Sequence, residues 1–174
     1  FPRLKARGIF CGTSFTVTRD NFPRLTGDTY LQELKKAGCR LFFYIEYIPI
    51  AEGSETLVIA EPERQRLLRL MDEFRRKHRA VFVAFPGDEE KFGGCLAAGR
   101  GFAHINAAGS LEPCPFAPYS DTSLKDNSLQ AALASNFLRN IREHHDLLEE
   151  HGGGCSLWEN RELVQRLLSG AADQ

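Results

Sequence analysis

Three runs rich in β-branched and aromatic residues recur along the first half of this chain, separated by stretches with helical signals. Residues 8–18 (Gly-Ile-Phe-Cys-Gly-Thr-Ser-Phe-Thr-Val-Thr) carry no charge and read as a buried strand. Residues 40–48 form a second such run, and 80–85 a third, ended by Pro86-Gly87-Asp88. Between the first two, Thr26 is placed to cap a helix running to about Ala37 and stopped by Gly38. Between the second and third, Glu61 to Arg79 puts Leu67, Leu70, Met71, Phe74 and His78 on one helical face. Strand and helix alternating at this spacing predict parallel βαβ units, hence an α/β fold. Three such strands do not close a barrel, so the sheet reads as part of a larger one.

Composition narrows the setting. With 174 residues the chain suffices for one domain with a real core or for two small ones. A formal net charge of −1 gives no electrostatic reason to expect nucleic acid or an anionic membrane as partner. No apolar run approaches the ~20 residues that span a bilayer, and no signal-peptide pattern is read at Phe1. Five cysteines, an odd number, argue against a disulfide framework and for thiol chemistry in a reducing cytoplasm. The single methionine is Met71, so the chain reads as a piece of a longer one; Phe1-Pro2-Arg3-Leu4 is expected to enter a strand-like segment at once.

The character changes at about Phe92. Residues 101–105 and 111–114 flank Asn106-Ala107-Ala108-Gly109-Ser110 and predict a short hairpin with a glycine turn. Asp126, Asn127 or Ser128 is placed to cap one long helix carrying Leu129, Leu133, Phe137, Ile141 and Leu148, ended by Gly152-Gly153-Gly154. A last helix is expected from about Glu159 to Leu168. Two domains follow, residues 1–92 and 93–174.

Three cysteines in the second of these sit where ordinary packing does not ask for them. Cys95 lies in Gly93-Gly94-Cys95-Leu96-Ala97-Ala98-Gly99, Cys114 in Glu112-Pro113-Cys114-Pro115-Phe116, and Cys155 after the triple glycine. Glycine lets backbone approach a bulky ligand and turns N–H groups toward it; proline stiffens the presentation of a thiol. Three convergent thiolates read as a metal or iron–sulfur site. Zinc remains the other possibility, with His104 or His151 as fourth ligand, although the close ligand pairs usual for zinc are absent. Cys11 and Cys39 read as structural.

The C-x13-G-x4-C spacing from Cys95 through Gly109 to Cys114, followed at a distance by Cys155, resembles the auxiliary iron–sulfur domain of radical S-adenosylmethionine enzymes, called SPASM in its long form and twitch in its short one. The segments 85–89, 93–102 and 112–116 look like a recurring subgroup pattern, and the single-cluster twitch form is the closer match. The resemblance implies that residues 1–92 are the C-terminal part of a partial (β/α)6 TIM-like barrel, followed by a small α+β auxiliary-cluster domain. It further implies an oxidoreductase-type parent in which a reduced [4Fe–4S] cluster cleaves S-adenosylmethionine to a 5′-deoxyadenosyl radical. Cys95, Cys114 and Cys155 would hold an auxiliary [4Fe–4S] cluster. Ser14, Thr16, Arg19 and Glu46, placed by strand position, would contact S-adenosylmethionine, with backbone near Phe85 and Pro86 at the adenine. A reductant such as flavodoxin or ferredoxin and a peptide or small-molecule substrate are the implied partners. The family's C-x3-C-x2-C loop is absent from these residues, so the piece alone is expected to be inactive. The rival from another class is a non-catalytic zinc- or iron–sulfur-binding module for interaction or redox sensing.

Other polar groups have plainer expectations. His144 and His145 suit the negative end of a helix, and His78 is expected to pack. Arg64, Arg69, Arg75, Arg76 and Lys77 read as a solvated face, and Asp88-Glu89-Glu90 as an exposed acidic loop at the domain junction. Trp158 is expected to pack over the cluster side of the last helix.

Overall fold

A computed structural model describes residues 1–148 and 155–170. The chain divides into two compact units, Phe1–Asp88 and Glu89–Gln174. The expected alternation is present in the first. Helix α1 (Pro2–Ala6) precedes strand β1 (Gly12–Val17); α2 (Phe22–Leu25) and α3 (Asp28–Ala37) lead to β2 (Leu41–Glu46); α4 (Glu61–Lys77) leads to β3 (Val81–Phe85). The strands form one parallel sheet in the order β1-β2-β3, with Phe15 opposite Tyr44 and Tyr44 opposite Ala84.

Side chains alternate across a strand, so each strand offers two faces. On one, Phe15, Val17, Phe42, Tyr44, Phe82 and Ala84 join Leu31, Leu67, Met71 and Phe74 in the core. Phe42 and Phe82 stack at 5.0 Å, and the Tyr44 hydroxyl donates to the Leu25 carbonyl at 3.1 Å, so the buried phenol is satisfied. The other face is more open, and Ser14 and Thr16 are exposed on it. The first run is therefore a strand buried on one side only. Its uncharged composition hid this, because serine and threonine suit either face.

Local chemistry explains two further differences. Phe1-Pro2-Arg3-Leu4 opens a helix, since Pro2 has the φ of a first helical turn and lacks only an N–H that position leaves unused. Gly27, not Thr26, precedes α3; the Thr26 hydroxyl turns back to the Phe22 carbonyl at 2.7 Å and closes α2 instead. The ends of α3 and α4 fall near their expected places, α3 stopping at left-handed Gly38.

The basic face of α4 does more than meet solvent. Arg64 donates through Nε to the buried Glu46 carboxylate at 2.7 Å. Arg75 reaches the Phe82 carbonyl and pairs with Asp88, which also accepts the Ala84 N–H at 2.8 Å. His78 is buried, as expected, against Phe74, with Nδ1 2.8 Å from Lys35 Nζ.

Gly12 sits in register with Leu41, and a Cβ on it would lie 2.3 Å from both the Leu41 Cβ and the Leu41 carbonyl oxygen. Gly12→Ala is therefore expected to force the β1 and β2 backbones apart and to cost about 1–3 kcal/mol. Urea unfolding of the variant beside the parent protein measures it; an unchanged midpoint would show that the strands tolerate the shift.

In the second unit, β4 (His104–Ile105) and β5 (Leu111–Glu112) form the expected hairpin, shorter than the sequence suggests. Its turn is held by Asn106, whose side-chain oxygen accepts from Ala108 and Ser110. The single long helix is instead α5 (Leu129–Leu133) and α6 (Asn136–Glu143) with a short 3-10 turn at His145–Leu147. Serine is the reason. Ser128 Oγ accepts the Ala131 N–H and Ser135 Oγ the Leu138 N–H, so each serine starts a helix, and Asp121 takes the Phe137 N–H at 2.9 Å. The final helix appears near its expected place as α8 (Arg161–Leu168), preceded by the short α7 (Ser156–Glu159). Phe137, Leu138, Ile141, Val164 and Leu167 form its core, with the Asn140 side chain donating to the Leu167 carbonyl at 3.2 Å.

Candidate metal centre

Glu89–Phe92 is a 3-10 turn, after which Gly93 (φ 78°) and Gly94 (φ 88°) reverse the chain. Successive left-handed residues are strained for anything but glycine, and a Cβ on Gly94 would also press on the His145 ring at 3.2 Å. This reversal delivers Cys95 inward. Its loop is braced by groups distant in sequence. The Glu89 carboxylate, 3% exposed, accepts the Leu96 N–H at 2.8 Å. Arg100 donates to the Cys95 and Gly93 carbonyls, and His145 Nε2 lies 3.2 Å from the Cys95 carbonyl oxygen. Glu89 is thus no exposed loop carboxylate; burial raises its pKa. Burial, then Arg100, lowers that of His145.

The next link ties two thiol segments together. The Ala98 N–H donates to the Pro113 carbonyl at 3.1 Å, while Arg142 from α6 donates to the Ala98 carbonyl at 2.6 Å. Cys114 follows β5 in a tight turn, its carbonyl accepting the Ala117 N–H at 3.1 Å. Cys155 immediately precedes α7, its carbonyl accepting the Glu159 N–H at 2.9 Å.

All three thiols are buried, with Cys95 and Cys155 at 8% exposure and Cys114 at 2%. They also meet. The Cys155 thiol hydrogen-bonds with that of Cys114, and this contact, followed by burial, pushes its pKa up. Burial and then the Glu89 carboxylate push Cys95 up to about 12, with Cys155 adding to the effect. The Ala97 amide and the Ser156 hydroxyl pull Cys95 the other way, and the amides of Trp158 and Leu157 do the same for Cys155.

Buried thiols approached by amides, as Cys95 and Cys155 are, suit a site that trades protons for metal. Three features of the donor set bear on which metal. Thiolates alone suit an iron–sulfur cluster or zinc. Among the described residues, no three His, Cys, Asp or Glu side chains gather closely enough to hold one ion. Tetrahedral zinc with bonds of ~2.3 Å needs its thiolates roughly 3.8 Å apart. A cluster spreads its ligands over several irons and takes a wider set than one ion. Finally, the buried Ser156 hydroxyl lies against the Cys95 sulfur. The donor type, three cysteines, is the one an iron–sulfur cluster takes.

The proposed zinc partners do not join them. His104 Nδ1 pairs with Glu112 at 2.8 Å within the hairpin. His151 and the glycines 152–154 lie outside the described residues. Trp158 is half-buried, with the Arg161 guanidinium 5.3 Å over its ring. In the first unit, Ser14 and Thr16 share the open sheet face, in register with Phe43 and Ile45. Arg19 is exposed just beyond β1, its N–H donating to Leu57. Glu46 projects from the opposite face into the core and pairs with Arg64, so the four do not come together. Cys39 is buried in the core and Cys11 half-buried at its edge. Glu89, Ser156, Arg100 and His145 were not marked by spacing; for Ser156, its place next to Cys155 was the one available sign.

The metal-free thiols give a pH prediction. For Cys95 the folded pKa exceeds the ordinary 9.0, so its contribution is constant below pH 9 and is lost as the unfolded thiol ionises first. By pH 10 this amounts to about 1.4 kcal/mol. The fall in urea stability between pH 8 and pH 10 should be smaller by that amount in Cys95→Ser; equal falls would place Cys95 in water.

Compared with known proteins, the chain matches no family model, no curated protein and no solved structure.

Proposed function

We propose that this chain belongs to a radical S-adenosylmethionine enzyme and holds its auxiliary [4Fe–4S] cluster on Cys95, Cys114 and Cys155. The observation that carries the reading is the burial of three thiols from segments far apart in sequence, with Cys155 in contact with Cys114 and its charge bearing on Cys95. The cluster, when bound, supplies a one-electron centre, with one iron left for a further ligand. The chain's own residues would bury it from water, release three thiol protons to solvent as the sulfurs bind it, and aim the amides of Ala97, Leu157 and Trp158 at its ligand sulfurs.

The same reading makes the parallel sheet of the first unit a portion of the partial barrel. Ser14 and Thr16 on the open face of β1, and Arg19 just beyond its carboxyl end, are then the groups offered to S-adenosylmethionine. Glu46 serves differently, holding the end of β2 through Arg64. The C-x3-C-x2-C cluster, the substrate site and a flavodoxin- or ferredoxin-type reductant belong to the whole enzyme.

Anaerobic reconstitution with iron and sulfide tests this. Four irons and four labile sulfides per chain, on the order expected for one cubane, support it. Stoichiometric zinc without labile sulfide overturns it in favour of a non-catalytic zinc module.

A further inference from the structure

At the amino ends of its strands the first unit holds a cleft of about 590 Å³. The sheet ladder runs on into it. The Arg40 N–H donates to the Cys11 carbonyl, and the Arg40 carbonyl accepts the Val81 N–H, both at 2.8 Å. Ile9, Phe10 and Val81 line the cleft and stay 48%, 64% and 49% exposed. Gly8 (φ 67°) turns the chain out of α1 toward Ile9 and Phe10, and a Cβ on it would meet nothing within 4 Å. Ligand sites usually measure about 300–1,000 Å³. Single exposed apolar side chains are ordinary, whereas several gathered round one cleft mark a surface that something covers.

Charge says what kind of ligand. Every charged residue lining the cleft is a cation, namely Lys5, Arg40 and Arg79. Arg64 and Arg75 of the same unit each pair with a carboxylate; among the described residues these three do not. Lys5 Nζ donates to the Lys36 carbonyl at 3.2 Å, at the end of α3, and Arg40 Nη1 to the Arg79 carbonyl at 3.4 Å. Neither bond answers a positive charge with a negative one. Like charges held together repel, and the planar fork of a guanidinium matches a carboxylate or a phosphate. We propose that this cleft binds a small amphiphilic anion, an oxyacid head on an apolar body, with Arg40 and Arg79 taking the head and Ile9, Phe10 and Val81 the body. A bare phosphate would leave the apolar wall in water, and a cationic ligand would leave the arginines unanswered. The site lies wholly within the first unit and is independent of the cysteines and of the cluster reading.

The test is isothermal titration calorimetry of the full chain with decanoate, decyl phosphate, decyltrimethylammonium and inorganic phosphate, the amphiphiles kept below the concentrations at which they aggregate. Decanoate or decyl phosphate should bind at one per chain, at least about tenfold more tightly than the other two, and the tighter of the pair identifies the head group. Arg79→Gln should weaken that binding about 10–100-fold, the usual worth of a hydrogen bond to a charged group. Phe10→Ser should weaken it about tenfold through lost apolar contact. Both side chains are exposed, so the variants should keep the parent's urea midpoint. Decyltrimethylammonium binding as tightly as decanoate overturns the proposal in favour of a merely apolar patch. Inorganic phosphate binding as tightly as decyl phosphate overturns it in favour of a bare anion site. Either variant binding like the parent, or no binding of either anionic amphiphile, overturns it as well.

Discussion

Cys155→Ser is expected to abolish cluster assembly, cutting iron and labile sulfide at least tenfold relative to the parent protein. The floor follows from ligand chemistry: even an outer partner of a metal ligand is worth about 10–100-fold in retention, and Cys155 would be a ligand itself. It is also the thiol in contact with Cys114, and its charge bears on Cys95. Serine keeps the shape but ionises far less readily than a thiol, so only two thiolates remain for a cluster that needs at least three protein ligands here. Cys11→Ser is the control. Its thiol sits in the first unit and donates to the Gly38 carbonyl at 3.7 Å, a bond that serine can also make. Iron and sulfide analysis with absorption spectroscopy reads the result. Full loading of Cys155→Ser would remove the site from these three residues.

Arg64→Met should destabilise the first unit by about 3–5 kcal/mol, the usual cost of leaving a buried charge without its partner. Glu46 is 2% exposed, and only Arg64 Nε and its charge oppose the burial that raises the Glu46 pKa. The other carboxylate oxygen, Oε1, is buried without a hydrogen bond. The sign of the pH dependence follows. With its folded pKa above the unfolded value, Glu46 weakens the fold increasingly as pH rises through the carboxylate range; protonation relieves it. The deficit of Arg64→Met should thus be largest at neutral pH and shrink toward pH 4. The double variant Glu46→Gln/Arg64→Met should recover most of the loss, because a neutral amide is far cheaper to bury than a lone carboxylate. Urea midpoints at pH 7 and pH 4.5 decide it. A single variant within about 1 kcal/mol of the parent would mean that water reaches Glu46 freely.

The pair also shows where reading along the chain stops. Residues 41–46 are apolar on both faces up to the last, so nothing in their order says that Phe42, Tyr44 and Glu46 turn to the core while Phe43 and Ile45 turn away. Strand position placed Glu46 with Ser14 and Thr16; the parity of the side chains put it on the other face. Helix α4 was easier, since Leu67, Met71 and Phe74 recur at helical spacing and are buried as that spacing requires. The 129–148 region defeated the same approach. Its apolar spacing suits one helix, but Ser135 and the distant Asp121 offer the backbone a better partner at its midpoint.

What the sequence determined by itself, then, is the alternation of three strands with helices, the hairpin at Gly109 and the choice of Cys95, Cys114 and Cys155. These rest on local causes: side-chain branching, helical period, and glycine or proline beside a thiol. The tertiary structure alone decided which sheet face is covered, where the long helix breaks, and that buried Glu89 braces the Cys95 loop. Those depend on burial and on partners dozens of residues away. No local pattern encodes a desolvation cost, because it exists only once the chain has closed around the group.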